Sequence, residues 1–82
     1  MKYLKEEDCY VTTDLVTAGV LVYFEHTLET IDKTTPSRCK FVIARAKHTD
    51  NILELFHKRE LKVEPKTFNA IQREIKTRLY NE

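Results

Sequence analysis

The apolar positions change period along the chain, and each change marks an element. Phe68, Ile71, Ile75 and Leu79 recur at i, i+3, i+7 and i+11, one face of a helix. With Pro65 suited to a first turn, the spacing predicts a helix over 65–80. Cys39, Phe41 and Ile43 alternate instead with Lys40 and Val42, which makes one face of a strand apolar and leaves the other half wet. Upstream, Leu28 shares a face with His26 and Thr30, while Ile31 falls with Glu25, Thr27 and Glu29 on the opposite one. The stretch 25–45 therefore reads as a β-hairpin. Setting Leu28 opposite Phe41 brings Glu29 against Lys40 as a complementary pair and leaves Lys33, Thr34, Thr35 and Pro36 as the turn.

On either side the pattern is helical. Thr12, Thr13 and Asp14 are N-cap candidates, and Leu15, Ala18, Leu21 and Val22 follow at helical spacing, so a helix over 14–24 is expected. The run from Val20 to Phe24 is β-prone by composition and competes for the first hairpin arm. His48, Thr49 and Asp50 offer caps for a short amphipathic helix over 49–59 that carries Ile52, Leu53, Leu55 and Phe56. Residues 1–11 are either a frayed lead-in or a short strand through Cys9, Tyr10 and Val11 that extends the hairpin. The fold class that results is α+β: an antiparallel hairpin packed by three helices, in the order helix, strand, strand, helix, helix, within a single domain over 1–82.

A chain of 82 residues buries roughly 60–65% of its unfolded surface, so a partner or second copy would add useful stability. Charged residues make up 33% and nearly cancel at +1, which argues against both a strongly basic nucleic-acid module and an acidic mimic. No apolar run is long enough to span a bilayer, and the N-terminal residues lack the apolar segment of a signal peptide; a cytoplasmic location is expected. Gly19 is the one glycine. It rules out a glycine-rich phosphate cradle and is expected where the first helix packs closely on the sheet.

The titratable groups give little support for catalysis. Cys9 and Cys39 have no metal-site or redox spacing, and free thiols are expected in a reducing compartment. His26, His48 and His57 never fall on adjacent turns of one helix, so neither a metal nor any other cofactor is expected. No glycine turn that would build an oxyanion site accompanies either cysteine, and an enzyme is not expected. Binding surfaces are better represented. Steps of about 100° per residue place Lys66, Asn69, Arg73, Lys76 and Tyr80 in one stripe of the last helix, with residue types that grip phosphates and stack on bases. Most such stripes are merely solvated. The open edge of a two-stranded sheet is a second candidate, with Ile31 and Val42, and Tyr3 or Tyr10 nearby, as outer contacts for a second copy or for a partner strand.

The helix opened by Thr13, Asp14 and Leu15, the strand Cys39 to Ile43, and above all the connector Leu61, Lys62, Val63, Glu64, Pro65 leading into a Phe68-headed helix resemble a small uncharacterised domain family of bacteriophages and bacterial mobile elements. The likeness spans residues 12–80. The chain departs from that family at Val16, where an aromatic is usual, and at Tyr23, Phe24 and Glu25, where a glycine usually closes the first helix. The resemblance implies an accessory role in a bacterial host and assigns no functional residue. The expectation is a non-enzymatic protein of phage type that binds and modulates a host protein or defence complex. The alternative is a nucleic-acid-binding protein that uses the last helix.

Overall fold

The computed structural model describes residues 8–35 and 37–81. After a short first strand β1 (Cys9–Thr12) come α1 (Leu15–Tyr23), β2 (Leu28–Asp32), β3 (Lys40–Ala44), α2 (Thr49–His57) and α3 (Pro65–Asn81). The α+β order inferred from the sequence holds. Of the two readings of the N-terminal stretch, the strand is the one found. It extends the hairpin on the β3 side, giving the sheet order β1-β3-β2, with β3 antiparallel to both neighbours. The β3 edge expected to stand open is therefore covered by β1, and the sheet's outer edges belong to β1 and β2.

The hairpin register differs from the expected one. Leu28 pairs with Ile43 and Ile31 with Phe41, with an irregularity between Leu28 and Thr30. Leu28 and Ile31 lie three apart, so strict alternation would put them on opposite faces. A bulge resolves the conflict, because one extra residue lets both turn inward. Both are buried, at 8% and 7% exposure, so Ile31 belongs to the core and leaves the set of outer contacts. Asp32, and not Glu29, stands opposite Lys40.

Asp14 closes the N-terminus of α1, its carboxylate accepting from the Val16 and Thr17 amides at 3.3 and 3.2 Å and from the Thr17 hydroxyl at 2.6 Å. The Thr17 hydroxyl, then the two amides, hold the Asp14 carboxyl below its ordinary value against a smaller effect of burial. Thr17 through Leu21 are all buried. The helix packs on β1 and β3 on one side and against α3 on the other, which explains why its sequence looks β-prone: a helix enclosed from several directions has no polar face. It ends in a Schellman arrangement, with the Glu25 amide bonded to Val22 O and the His26 amide to Leu21 O. Glu25 adopts φ 69° to make it. α2 ends the same way through Arg59 at φ 61°.

α1 and α3 run antiparallel. The Tyr23 hydroxyl accepts from the Glu64 amide at 2.9 Å, and the Tyr23 and Phe68 rings lie 6.4 Å apart. Further along, the Gln72 amide donates to Leu15 O at 3.1 Å. Gly19 sits where these helices approach, and the close contact expected with the sheet is instead with α3. A Cβ at Gly19 would overlap the Gln72 amide nitrogen and lie 2.9 Å from its Cδ. Ala18, Val20, Leu21, Phe41, Ile43, Ile52, Leu53 and Ile75 join Leu28 and Ile31 in the buried core.

Candidate functional site

α3 starts at Pro65, which needs no amide partner, after Glu64 has folded back over the first turn. The Glu64 carboxylate accepts from the Thr67 amide at 2.7 Å, from the Lys66 amide at 3.1 Å and from the Thr67 hydroxyl at 2.8 Å. These bonds lower its pKa from the ordinary value, the Thr67 amide most. With one face closed onto the core by Phe68, Ile71, Ile75 and Leu79, the helix turns the other to solvent. Lys66, Asn69, Arg73, Lys76 and Tyr80 are all exposed there, as their spacing implies, and Tyr80 is 79% exposed. At 1.5 Å per residue the row is about 20 Å long. Arg78, on another side of the helix, donates to Leu28 O at 2.9 Å and ties the end of α3 to β2.

At Tyr80 the row meets a groove of about 740 Å³. Its apolar lining is Leu15, Cys39, Phe41 and Leu79; Thr13, Ser37 and Tyr80 supply hydroxyls, and Lys33 and Arg38 supply positive charge. No carboxylate lines it among the described residues. The neighbouring Asp14 faces the α1 N-terminus, and the neighbouring Asp32 accepts from the Thr34 amide at 2.9 Å. The Asp32 carboxyl is held below its ordinary value by the Thr34 hydroxyl first, then by that amide, with Lys40 adding a smaller attraction. Sequence reasoning placed Tyr80 in the row but missed the groove. Its residues come from the start of α1, the β2–β3 connection, β3 and the end of α3, and no single periodicity joins them.

Val42 lies half-buried on the outer sheet face between Val11, 47% exposed, and Thr30. It alternates with Phe41, which lies with Leu79 and Tyr80 of α3, so Val42 faces the opposite side of the sheet from that end of the row. Tyr3, the other aromatic expected near the sheet edge besides Tyr10, lies outside the described residues.

The histidines and cysteines do not converge. His26 is buried, with Nδ1 3.1 Å from Phe24 O and Nε2 2.7 Å from the Thr49 hydroxyl, which itself accepts from the Ala46 amide at 2.8 Å. Because a carbonyl only accepts, Nδ1 is the donor to Phe24 O, and in the neutral ring Nε2 then accepts from the Thr49 hydroxyl. The ring lies 5.1 Å from that of His48, and the arrangement locks the end of α1 to the start of α2. Cys9 stands opposite Ala44, whereas Cys39 precedes Lys40 at the other end of β3, roughly 17 Å away along the strand. Neither forms a disulfide. Burial, then Asp8 and Glu29, raises the Cys9 pKa, which makes it a poorer nucleophile at neutral pH. Among the described residues no group of three or more His, Cys, Asp or Glu side chains could hold a metal ion, and no helix is long and apolar enough to cross a membrane.

Comparison with protein-family models, curated proteins and solved structures found no match for this chain.

Proposed function

We propose that this chain is a small non-enzymatic accessory protein of phage type that binds and modulates a host protein or defence complex in the bacterial cytoplasm. The observation that carries the reading is the division of labour on α3. One face is committed to the core, while the other keeps Arg73, Lys76 and the large Tyr80 ring in solvent, where they serve no packing purpose. Arginine and tyrosine are the residue types that most often anchor protein interfaces. The phage-type origin rests on the sequence resemblance alone.

The same row favours a second reading, contact with a nucleic-acid backbone through Lys66, Arg73 and Lys76, with a base stacked on Tyr80. The two respond differently to salt, because phosphate contacts release counterions and weaken steeply as ionic strength rises. The test is capture from a bacterial lysate on the tagged chain, with nuclease treatment, at low and high salt, alongside an Arg73→Glu/Tyr80→Ala variant. The expected result is a stoichiometric host protein that survives nuclease and salt and is lost with the variant. Retention of polynucleotide alone, released by salt, would replace this reading with the second. Capture of neither would remove both.

A further inference from the structure

We infer that His26 and Thr49 form a pH-sensitive latch, which holds the start of α2 on the fold near neutral pH and releases it when His26 takes up a proton. Both residues are buried, Thr49 completely. The ring uses both nitrogens, Nδ1 on Phe24 O and Nε2 on the Thr49 hydroxyl, whose oxygen also accepts from the Ala46 amide. That hydroxyl has a single proton, and among the described residues His26 Nε2 is its one acceptor. A charged ring carries a second hydrogen on Nε2, which would then face the hydroxyl hydrogen across 2.7 Å. The hydroxyl must turn its proton away from its acceptor, and a donor stranded in a dry place is destabilising. Geometry therefore allows the bond with one protonation state of the ring and opposes it with the other.

The charges on neighbouring segments do not undo this. The C-terminal carbonyls of α1 and the N-terminal amides of α2 flank the ring with opposite partial charges, which largely cancel. Glu25 follows α1 but is exposed, so water screens its attraction. On the other side stand the exposed Lys47, Asp50, which is paired with Arg45, and His48, whose ring lies 5.1 Å from His26. Protonation of His48 in the same pH range adds a like charge. α2 is the element that the latch can free. It packs on the other elements less extensively than any of them pack together, and its N-cap, His48, makes no side-chain capping bond. Irregular stretches at 45–48 and 58–64 border it on both sides. Without Thr49, its remaining buried residues are Ile52 and Leu53. The released segment protonates histidine near pH 6.5, whereas the latched one resists, so release binds protons and is favoured as pH falls below about 6.5.

The experiment is an NMR titration of the full chain from about pH 7.5 to about pH 5, following the histidine rings and the backbone amides together. Amide hydrogen exchange is measured at both ends of the range and corrected for its intrinsic pH dependence, with α3 as the internal reference. Protection of the α2 amides is expected to fall roughly tenfold or more relative to α3, in step with the His26 ring signals. Thr49→Ser keeps the hydroxyl and His48→Gln keeps the bond, so both should retain the response, whereas His26→Gln should abolish it. A His26 ring that stays neutral throughout, α2 protection that does not change while His26 titrates, or an equal loss in α3 overturns the latch. So does a response that follows His48 or survives His26→Gln. Should His26→Gln fail to fold, the titration of the unaltered chain decides by the same criteria.

Discussion

Gly19→Ala tests how α1 and α3 fit together. In an ordinary helix interior this change stabilises by about 1 kcal/mol, because alanine loses less chain entropy on folding. Here the added methyl overlaps the Gln72 amide nitrogen and lies 2.9 Å from its Cδ, with Phe68 Cε1 at 3.4 Å. The phenylalanine contact is ordinary packing, so relief must come from Gln72. Its side chain can swing away only by giving up the bond to Leu15 O. A lost hydrogen bond costs about 0.5–1.5 kcal/mol, and more where the released amide stays dry. Adding the displaced packing, the single variant should be destabilised by about 1 kcal/mol. In a Gln72→Ala background the obstruction is gone and Gly19→Ala should stabilise by about 1 kcal/mol, giving a coupling of about 2 kcal/mol. Urea unfolding of the four members of the cycle, at constant m-value, measures this directly. Additivity within about 0.5 kcal/mol, or a stabilising Gly19→Ala in the otherwise unchanged chain, would refute the steric argument.

Three further outcomes follow from the caps and the buried pair. Asp14, Asp32 and Glu64 have folded-state values below the ordinary 3.8 and 4.5, so folding favours their ionised forms. The stability they contribute is full above those values and is lost as pH falls through the folded ones; thermal melts should show the decline below about pH 4, and Asp14→Asn should flatten it. Thr49→Val leaves His26 Nε2 and the Ala46 amide without their shared partner and should cost about 1–3 kcal/mol in urea melts, whereas a change under about 0.5 kcal/mol would argue that water replaces the hydroxyl. Arg59→Gly relieves a left-handed residue at the end of α2 and should raise stability by about 0.5–1 kcal/mol after allowing for the looser unfolded chain; a loss would mean that the arginine side chain contributes more than its backbone strain costs.

The elements that the sequence disclosed are those whose signals are local. Asp14 is the cap of α1, Pro65 opens α3, and the Phe68, Ile71, Ile75, Leu79 stripe is the face that closes the core. Signals failed where a distant partner decides. The bulge near Leu28 exists because both Leu28 and Ile31 must reach one core, a demand set by β3 and invisible within β2. Glu25 took the left-handed position without a glycine to announce it, although the expected end at 24 falls on the C-cap, Phe24. β1 was ambiguous because four residues of mixed polarity become a strand only when β3 lies beside them. The stripe from Lys66 to Tyr80 was legible because one helix carries it, but the groove was not, because it is assembled from separate parts of the chain.

The placement of β3 bears on how the chain is made. Residues 9–12 are synthesised before their hydrogen-bonding neighbours at 41–44, which follow some thirty positions later. Until then the first strand has no template, and α1 must wait for Gln72 and Phe68 before its flank is sealed. Assembly of the whole sheet therefore waits for β3, and a product that stops short of residue 40 would lack the strand on which both β1 and β2 pair.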